Sequence, residues 1–332
     1  MRFLVTGGAG FIGSHIVERL LKDGHFVRIL DNFSSGKEEN LQGLSPTTEN
    51  QGLSPKGTVP DFELIKGDIR DFNTCLKACH NIDYVLHQAA LRSVPKSMTM
   101  PHEYNAVNID GTVNILEAAL KYKVKRVVLA SSSSVYGDTT KFPEKETDMP
   151  LLISPYALTK LAGEYYSRVF SANYGLETVN LRYFNVFGPR QSLDDEYAVV
   201  IPKFIDCMLD GRNPPVHGTG KQSRDFTYID NIVEANILSA TKGLSPKGTV
   251  PCETFNVACG SDNSILDLVA TLNKIMGKSI KSTFEPRRQG DVFRTLADIS
   301  KIRSMLKYEP KVNFEDGLRK TVEWFEKQHV GV

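Results

Sequence analysis

Short apolar runs alternate with stretches whose apolar residues recur every three or four positions through the first half of the chain. Arg2–Thr6 (RFLVT), Phe26–Asp31 (FVRILD) and residues 62–68, 83–90 and 126–134 read as strands. Phe11–Lys22, Pro155–Tyr174 and residues 74–80 and 103–122 read as helices. Apolar runs this short need cover on both faces, and helices between successive strands supply it, so the pattern predicts parallel strands joined by crossover helices. The expected fold class is α/β, a doubly wound parallel sheet with a smaller mixed α/β substrate-binding domain. The regular pattern loosens from about Glu177, and Pro and Gly concentrate at residues 212–220. This places a first domain at residues 1–180 and a second at 181–332, interleaved with the first.

One decapeptide nearly repeats: QGLSPKGTVP at residues 51–60 returns as KGLSPKGTVP at 242–251, and GLSP also stands at 43–46. Copies this short and this far apart do not make a stacked architecture. Each falls between a helix and a strand, which predicts surface insertions near 43–60 and 242–251 that carry no chemistry.

The 332 residues hold 40 basic and 39 acidic side chains with no long run of one sign, which argues against a nucleic-acid or membrane-surface partner recruited by bulk charge. No apolar segment approaches the roughly 20 residues needed to span a bilayer, and the first residues enter a strand pattern directly. The expectation is a soluble cytoplasmic protein. Cys75, Cys79, Cys207, Cys252 and Cys259 come without a histidine cluster, so they are expected to be buried thiols, with no metal site.

Between the first strand and the first helix stand Gly7, Gly10 and Gly13, in the spacing G-x-x-G-x-x-G. A strand, glycines that let the backbone approach, and a helix N-terminus with free N–H groups are what a diphosphate requires. The next strand ends in Asp31, where a carboxylate can take ribose hydroxyls and repel a 2′-phosphate, which points to NAD. Asp68 in GDIRD is placed to reach the adenine, and HQAAL, with Gln88, Ala89 and Ala90, puts small residues beside the diphosphate.

In SPYALTK, Ser154 and Pro155 have the character of an N-cap and first helical position, which sets Tyr156 and Lys160 on one helix face. A phenol is a poor base at neutral pH, and an ammonium about 4 Å away contributes on the order of 4 kcal/mol, equivalent to about three pKa units. Tyr156 is therefore expected to act as a general base, its pKa lowered by Lys160. The serine run ASSSSVYGD ends a strand on the side of the sheet where ligands bind and offers a hydroxyl to the reacting oxygen.

In their order, TGGAGFIGSH, DNFSSGK, GDIRD, HQAA, NIDGTVNILEAA, SSSSVYGD, SPYALTK, RYFNVFGP, SRDFTYIDN and RRQGD make nearly the whole chain outside the insertions similar to the extended short-chain dehydrogenase/reductase family. Within that family the chain resembles the nucleotide-sugar 4-epimerases, which act on UDP-glucose or UDP-N-acetylglucosamine. The resemblance implies a Rossmann fold, tightly bound NAD, a UDP-sugar substrate and a homodimer built on the helices near 103–122 and 155–174. It implies Ser132, Tyr156 and Lys160 as catalytic residues. Around the cofactor it implies Phe11, Ile12, Asn32, Ser35 and Gly36, together with Ile69, Arg92, Asn108 and Tyr183. On the sugar nucleotide it implies Ser133, Asn185, Val199 and Val200, with Arg224, Arg288 and Asp291 on diphosphate and ribose. Thr295 matches the position beside the sugar C2 substituent, where a small residue leaves room for an N-acetyl group.

Related 4,6-dehydratases carry an acidic pair where this chain has Ser133 and Ser134, and related decarboxylases carry Glu at the latter. Hydroxyls there disfavour both readings. A UDP-glucuronate 4-epimerase, a nucleotide-sugar dehydrogenase and an NAD-sensing module without turnover stand as alternatives; the intact Ser132, Tyr156 and Lys160 argue against the last.

Overall fold

A computed structural model describes residues 1–44, 62–193, 200–244, 251–287 and 292–330. Its first half runs β1 (Arg2–Thr6), α1 (Phe11–Lys22), β2 (Phe26–Asp31), β3 (Phe62–Lys66), α2 (Phe72–Cys79), β4 (Tyr84–His87), α3 (Val94–Thr99), α4 (Pro101–Asn105), α5 (Gly111–Lys121), β5 (Arg126–Ser132), α6 (Pro155–Tyr174) and β6 (Glu177–Tyr183). The second half runs β7 (Val186–Phe187), α7 (Val200–Leu209), β8 (Pro215–His217), β9 (Ser223–Arg224), β10 (Thr227–Tyr228), α8 (Ile229–Thr241), β11 (Cys252–Val257), β12 (Asn263–Ser264), α9 (Ile265–Met276), β13 (Thr283–Glu285), α10 (Ser300–Leu306) and α11 (Phe314–Val330).

Seven strands form one parallel sheet in the order β11-β6-β5-β4-β1-β2-β3. Alternate residues of β1, β2, β4 and β5 enter opposite cores, as a two-residue period requires. Phe3 and Val5 join a core that includes α1 and α8, whereas Leu4 joins one with α2 and α5. The strand order reverses between β1 and β4, so the connections leave in opposite directions there and open a crevice at the C-terminal ends of the strands. The last strand of the sheet, β11, comes from late in the chain and pairs with β6 from Cys252↔Thr178 to Val257↔Tyr183.

The helix expected over residues 103–122 is present as one continuous helical run from Pro101 to Lys121 that contains a π-turn. Pro101 begins α4 after Met100 has left helical geometry, and a π-turn at Ala106–Asp110 joins α4 to α5. Proline lacks the N–H that would continue the preceding turn, and a π-turn admits one extra residue. Cys75, Cys79 and Cys207 are buried as expected, but Cys252 and Cys259 are half-buried, because they lie at the start and just beyond the end of β11. Residues 45–60 of the first insertion and 245–250 of the second lie outside the described residues. Among the described residues no helix is long and apolar enough to cross a membrane.

Candidate active site

The glycines behind β1 have three separate physical reasons. Gly7 has φ +67°, and a Cβ there would lie 2.8 Å from the Ala89 backbone nitrogen at the end of β4. Gly13 faces the Gly7 carbonyl so closely that a Cβ would overlap it, so this glycine seats α1 on the turn. A Cβ at Gly10 would meet only the Gly7 oxygen, at 3.2 Å. Gly10 is also the N-cap of α1 and supplies no side-chain bond, and the first turn holds no acidic residue. The initial amides of α1, including Phe11 and Ile12, therefore have neither intrahelical nor side-chain acceptors, and the cradle suits a diphosphate.

Asp31 holds this turn together. Its carboxylate accepts from the Ala9 amide at 2.9 Å and the Phe33 amide at 2.8 Å and is nearly buried. Gly36 packs beside it, while Ser35 is exposed. Asp68 is more fully engaged than expected. Arg70 grips both of its oxygens, at 3.0 and 2.7 Å, and Asn32 donates a third bond at 2.9 Å. The Arg70 hydrogen bonds hold its carboxyl down at about 2. The Ile69 side chain lies in the core against Gly111, and its carbonyl accepts from Asn114 at 2.9 Å and the Cys75 thiol at 3.2 Å.

Across the crevice, Gln88 and Tyr183 bond one another at 3.1 Å, and both bond Asn236 of α8, at 3.1 and 3.0 Å. Asn108, within the π-turn, brackets Leu91 by donating to its carbonyl and accepting from its amide, and also donates to Thr159 of α6 at 3.0 Å. These expected cofactor residues therefore tie strand ends to helices. Ala90 is half-buried beside them, and Arg92, the next residue after Leu91, is exposed.

Ser154 caps α6 by accepting the Ala157 amide at 3.2 Å, and Pro155 occupies the first turn, so Tyr156 and Lys160 share a face as the sequence required. The Ser132 side chain, at the end of β5, lies close enough to Tyr156 to lower its pKa, and its oxygen accepts the Ser134 amide at 3.1 Å. Tyr104 meets the Tyr156 ring edge-on, with centroids 6.4 Å apart. Lys160 donates to the Ala130 carbonyl at 2.8 Å and sits 5.9 Å from the Tyr156 ring centroid. The expectation of a lowered Tyr156 pKa is corrected here. Burial pushes the phenol up, opposed by Ser132 and the Arg92 charge, while burial also pulls Lys160 down to about 8. Desolvation is the largest influence on the phenol and outweighs the opposing pulls of Ser132 and Arg92.

The side of the crevice formed by the second half of the chain brings Asn185 onto Thr295, with Nδ2 donating to Oγ1 at 2.9 Å. Ser133 and Val200 are half-buried, Val200 opening α7. Arg224 is not poised in open space: its guanidinium donates to the carbonyls of Ser223, Phe293 and Val292 at 2.7, 3.2 and 2.6 Å. Val199, Arg288 and Asp291 lie outside the described residues.

Sequence reasoning missed the support under this site. Glu164 and Arg182 form a buried two-pronged ion pair at 2.9 and 2.7 Å, and Ser131 donates to Glu164 at 2.5 Å. The helix carrying Tyr156 is thereby locked to β5 and β6. The available signal was spacing: Glu164 follows Lys160 by four residues, on the same helix face.

Residues 3–258 match the NAD-dependent epimerase/dehydratase family. The chain is 38% identical over 328 residues to a UDP-glucose 4-epimerase of Mycolicibacterium smegmatis, covering 98% of each chain. A UDP-N-acetylglucosamine 4-epimerase of Methanobrevibacter ruminantium, solved with UDP-N-acetylmuramic acid, superposes with TM-score 0.89 at 41% identity and 98% coverage of both chains. The UDP-glucose 4-epimerase of Thermus thermophilus, solved with NAD, gives TM-score 0.84 at 35% identity, covering 98% of this chain and 99% of that one. A glycine turn fitted to a diphosphate, Ser132 and Tyr156 side by side near a buried lysine, and similarity along almost the full length lead to one conclusion: the chain belongs to the NAD-dependent epimerase/dehydratase family.

Proposed function

We propose that this protein is an NAD-dependent nucleotide-sugar 4-epimerase, interconverting UDP-glucose with UDP-galactose and UDP-N-acetylglucosamine with UDP-N-acetylgalactosamine. The observation that carries the reading is Tyr156 with Ser132 beside it and Lys160 5.9 Å from its ring centroid, at the same strand ends as the glycine cradle. Tyr156 takes the proton of the sugar C4 hydroxyl, and Ser132, beside the phenol, assists the transfer. Lys160, anchored on Ala130, keeps a positive charge within reach of the phenolate as it forms. NAD, when bound, supplies a hydride acceptor that also returns the hydride, so the reaction has no net redox change. Tyr156 then returns the proton to the 4-keto sugar after the sugar has presented its other face, inverting C4.

The NAD side of the crevice is assigned to residues 1–180 and the sugar side to 181–332, with Val199, Val200, Arg224, Arg288 and Asp291 on the UDP portion. The small Thr295 beside Asn185 favours acceptance of an N-acetyl group. Arg92, exposed and close enough to act electrostatically on the Tyr156 phenol, favours a second reading in which a uronate sugar is also accepted. Leu158, Tyr165 and Val169 are 51, 57 and 45% exposed along one stripe of α6, which supports a homodimer packed on that helix. Five free thiols fit a cytoplasmic enzyme. Incubation with NAD and each UDP-sugar should give isomerised product with no change in absorbance at the NADH band; product accompanied by stoichiometric NADH would establish a dehydrogenase instead.

A further inference from the structure

Beneath the crevice a line of buried hydrogen bonds runs through a histidine that the chemistry above does not use. His87 ends β4, is 2% exposed, and lies between two threonine hydroxyls: Nδ1 is 2.7 Å from Thr6 Oγ1, and Nε2 is 3.1 Å from Thr112 Oγ1. Counting protons fixes the direction of each bond. A threonine hydroxyl has one proton to give, and that of Thr112 goes to the Asn108 carbonyl at 2.6 Å. Thr112 therefore accepts from the imidazole, and Nε2 carries the ring proton. Burial and the Lys160 charge hold the imidazole neutral, its pKa down at about 3, so Nδ1 is an acceptor. Thr6 then donates to Nδ1, while its oxygen accepts the Ala89 amide at 3.2 Å. The line joins two parts of the proposed site. At one end, the Ala89 nitrogen is the atom that stands 2.8 Å from where a Gly7 Cβ would lie. At the other, Asn108 donates to Thr159 Oγ1 at 3.0 Å, and Thr159 donates to the carbonyl of Tyr156 at 2.8 Å.

We propose that His87, held as its Nε2–H tautomer between Thr6 and Thr112, is a positioning residue that keeps the turn at Ala89 in register with the first turn of the helix carrying Tyr156. The proposal rests on the reading of Tyr156 as the base and of the glycine turn as the NAD cradle. Thr6 and His87 are register partners in the β1–β4 ladder, at the reversal of strand order where the crevice opens. A neutral imidazole suits this place, because its one donor and one acceptor stand apart on a rigid ring and meet one acceptor and one donor. No polar atom of the ring is then left unpaired away from water. An apolar residue would fill the space but leave the Thr6 proton without its acceptor. Bonds in such a line polarise one another, so breaking one weakens the rest. A shift of the Ala89 turn is thereby felt at Tyr156 through hydrogen bonds between buried groups.

The test combines heteronuclear NMR of the histidine side chains in the NAD-loaded enzyme with kinetics for UDP-glucose. The His87 signal, assigned by its loss in His87→Asn, should show a proton on Nε2 and none on Nδ1; a proton on Nδ1 would overturn the line. Thr6→Val and Thr112→Val each remove one hydroxyl and keep the shape of the side chain. Each should lower kcat about tenfold, the effect of one lost buried hydrogen bond, with KM for UDP-glucose unchanged. Each should also retain less NAD through gel filtration. The double variant should be about as slow as either single one, since both changes break the same line; independent effects, about a hundredfold together, would overturn the link through His87. Thr112→Ser restores the hydroxyl and should restore kcat. A serine variant as slow as the valine one, or wild-type kcat in both valine variants, would also overturn the proposal. Where a valine variant does not fold, the wild-type tautomer and the serine variant decide. A protein that turns over no UDP-sugar would refute the function proposed above, and the tautomer and NAD retention would then decide the line alone.

Discussion

Tyr156 is the residue on which the chemistry turns, and its surroundings separate catalysis from packing. The ring packs edge-on against Tyr104, and a phenylalanine keeps that contact while removing only the hydroxyl beside Ser132. Tyr156→Phe should therefore lower kcat by about 10² or more while the protein still retains NAD, as measured by turnover and by cofactor content after gel filtration. Lys160 makes the opposite trade. Its pKa is pulled down to about 8 by burial, so at pH 7 it is charged in a place that resists charge. Stability should rise as pH climbs from 8 towards the unfolded value near 10.5, since over that range the unfolded chain binds more protons. Lys160→Met should lose activity, make the NAD-free protein roughly 1–3 kcal/mol more stable at pH 7, and abolish this alkaline rise in chemical denaturation. Thr295 is 7% exposed, so a tyrosine there has to grow towards the crevice or displace Asn185. Thr295→Tyr should cost about 1–3 kcal/mol and reduce kcat/KM for UDP-N-acetylglucosamine far more than for UDP-glucose. An unchanged ratio between the two substrates would remove Thr295 from the pocket.

At the scale of elements, the turn between β1 and α1 decides whether a cofactor can approach. Gly13 and Gly10 lie on the same turn and face the same Gly7 carbonyl, which is too close for a methyl at Gly13 and 3.2 Å from one at Gly10. Gly13→Ala must push α1 off the sheet, with an expected loss of about 2 kcal/mol or more in urea unfolding. Gly10→Ala should change stability by less than about 1 kcal/mol, yet weaken NAD binding, because its methyl narrows the cradle beside the free amides of α1. Equal effects of the two changes on stability would refute this division. Asp31 ties the same turn to β2 through backbone amides, so the carboxylate expected for ribose recognition also builds the turn.

At the scale of the molecule, the stripe of Leu158, Tyr165 and Val169 leaves apolar surface in water along one face of α6. Single exposed apolar residues are ordinary, but a stripe at helical spacing on one face is suited to a second copy. Sedimentation should give a dimer, and Leu158→Glu with Val169→Glu should give monomers that keep the same far-ultraviolet circular dichroism. A wild-type monomer at every concentration would refute the assembly.

The sequence by itself determined the parallel sheet, because strands buried on both faces must be written as short continuous apolar runs, and it marked the glycine turn and the Tyr156 helix, because φ, capping and helical spacing are local. It could not show that Gln88 and Tyr183 would find Asn236, that Arg224 would be spent on carbonyls near Thr295, or that Glu164 and Arg182 would lock the catalytic helix, since each of those bonds joins residues distant in the chain. Nor could it give the sign of the Tyr156 shift. Proximity of a lysine is read from spacing, but desolvation depends on everything packed around the phenol, and in the folded protein desolvation is the larger effect.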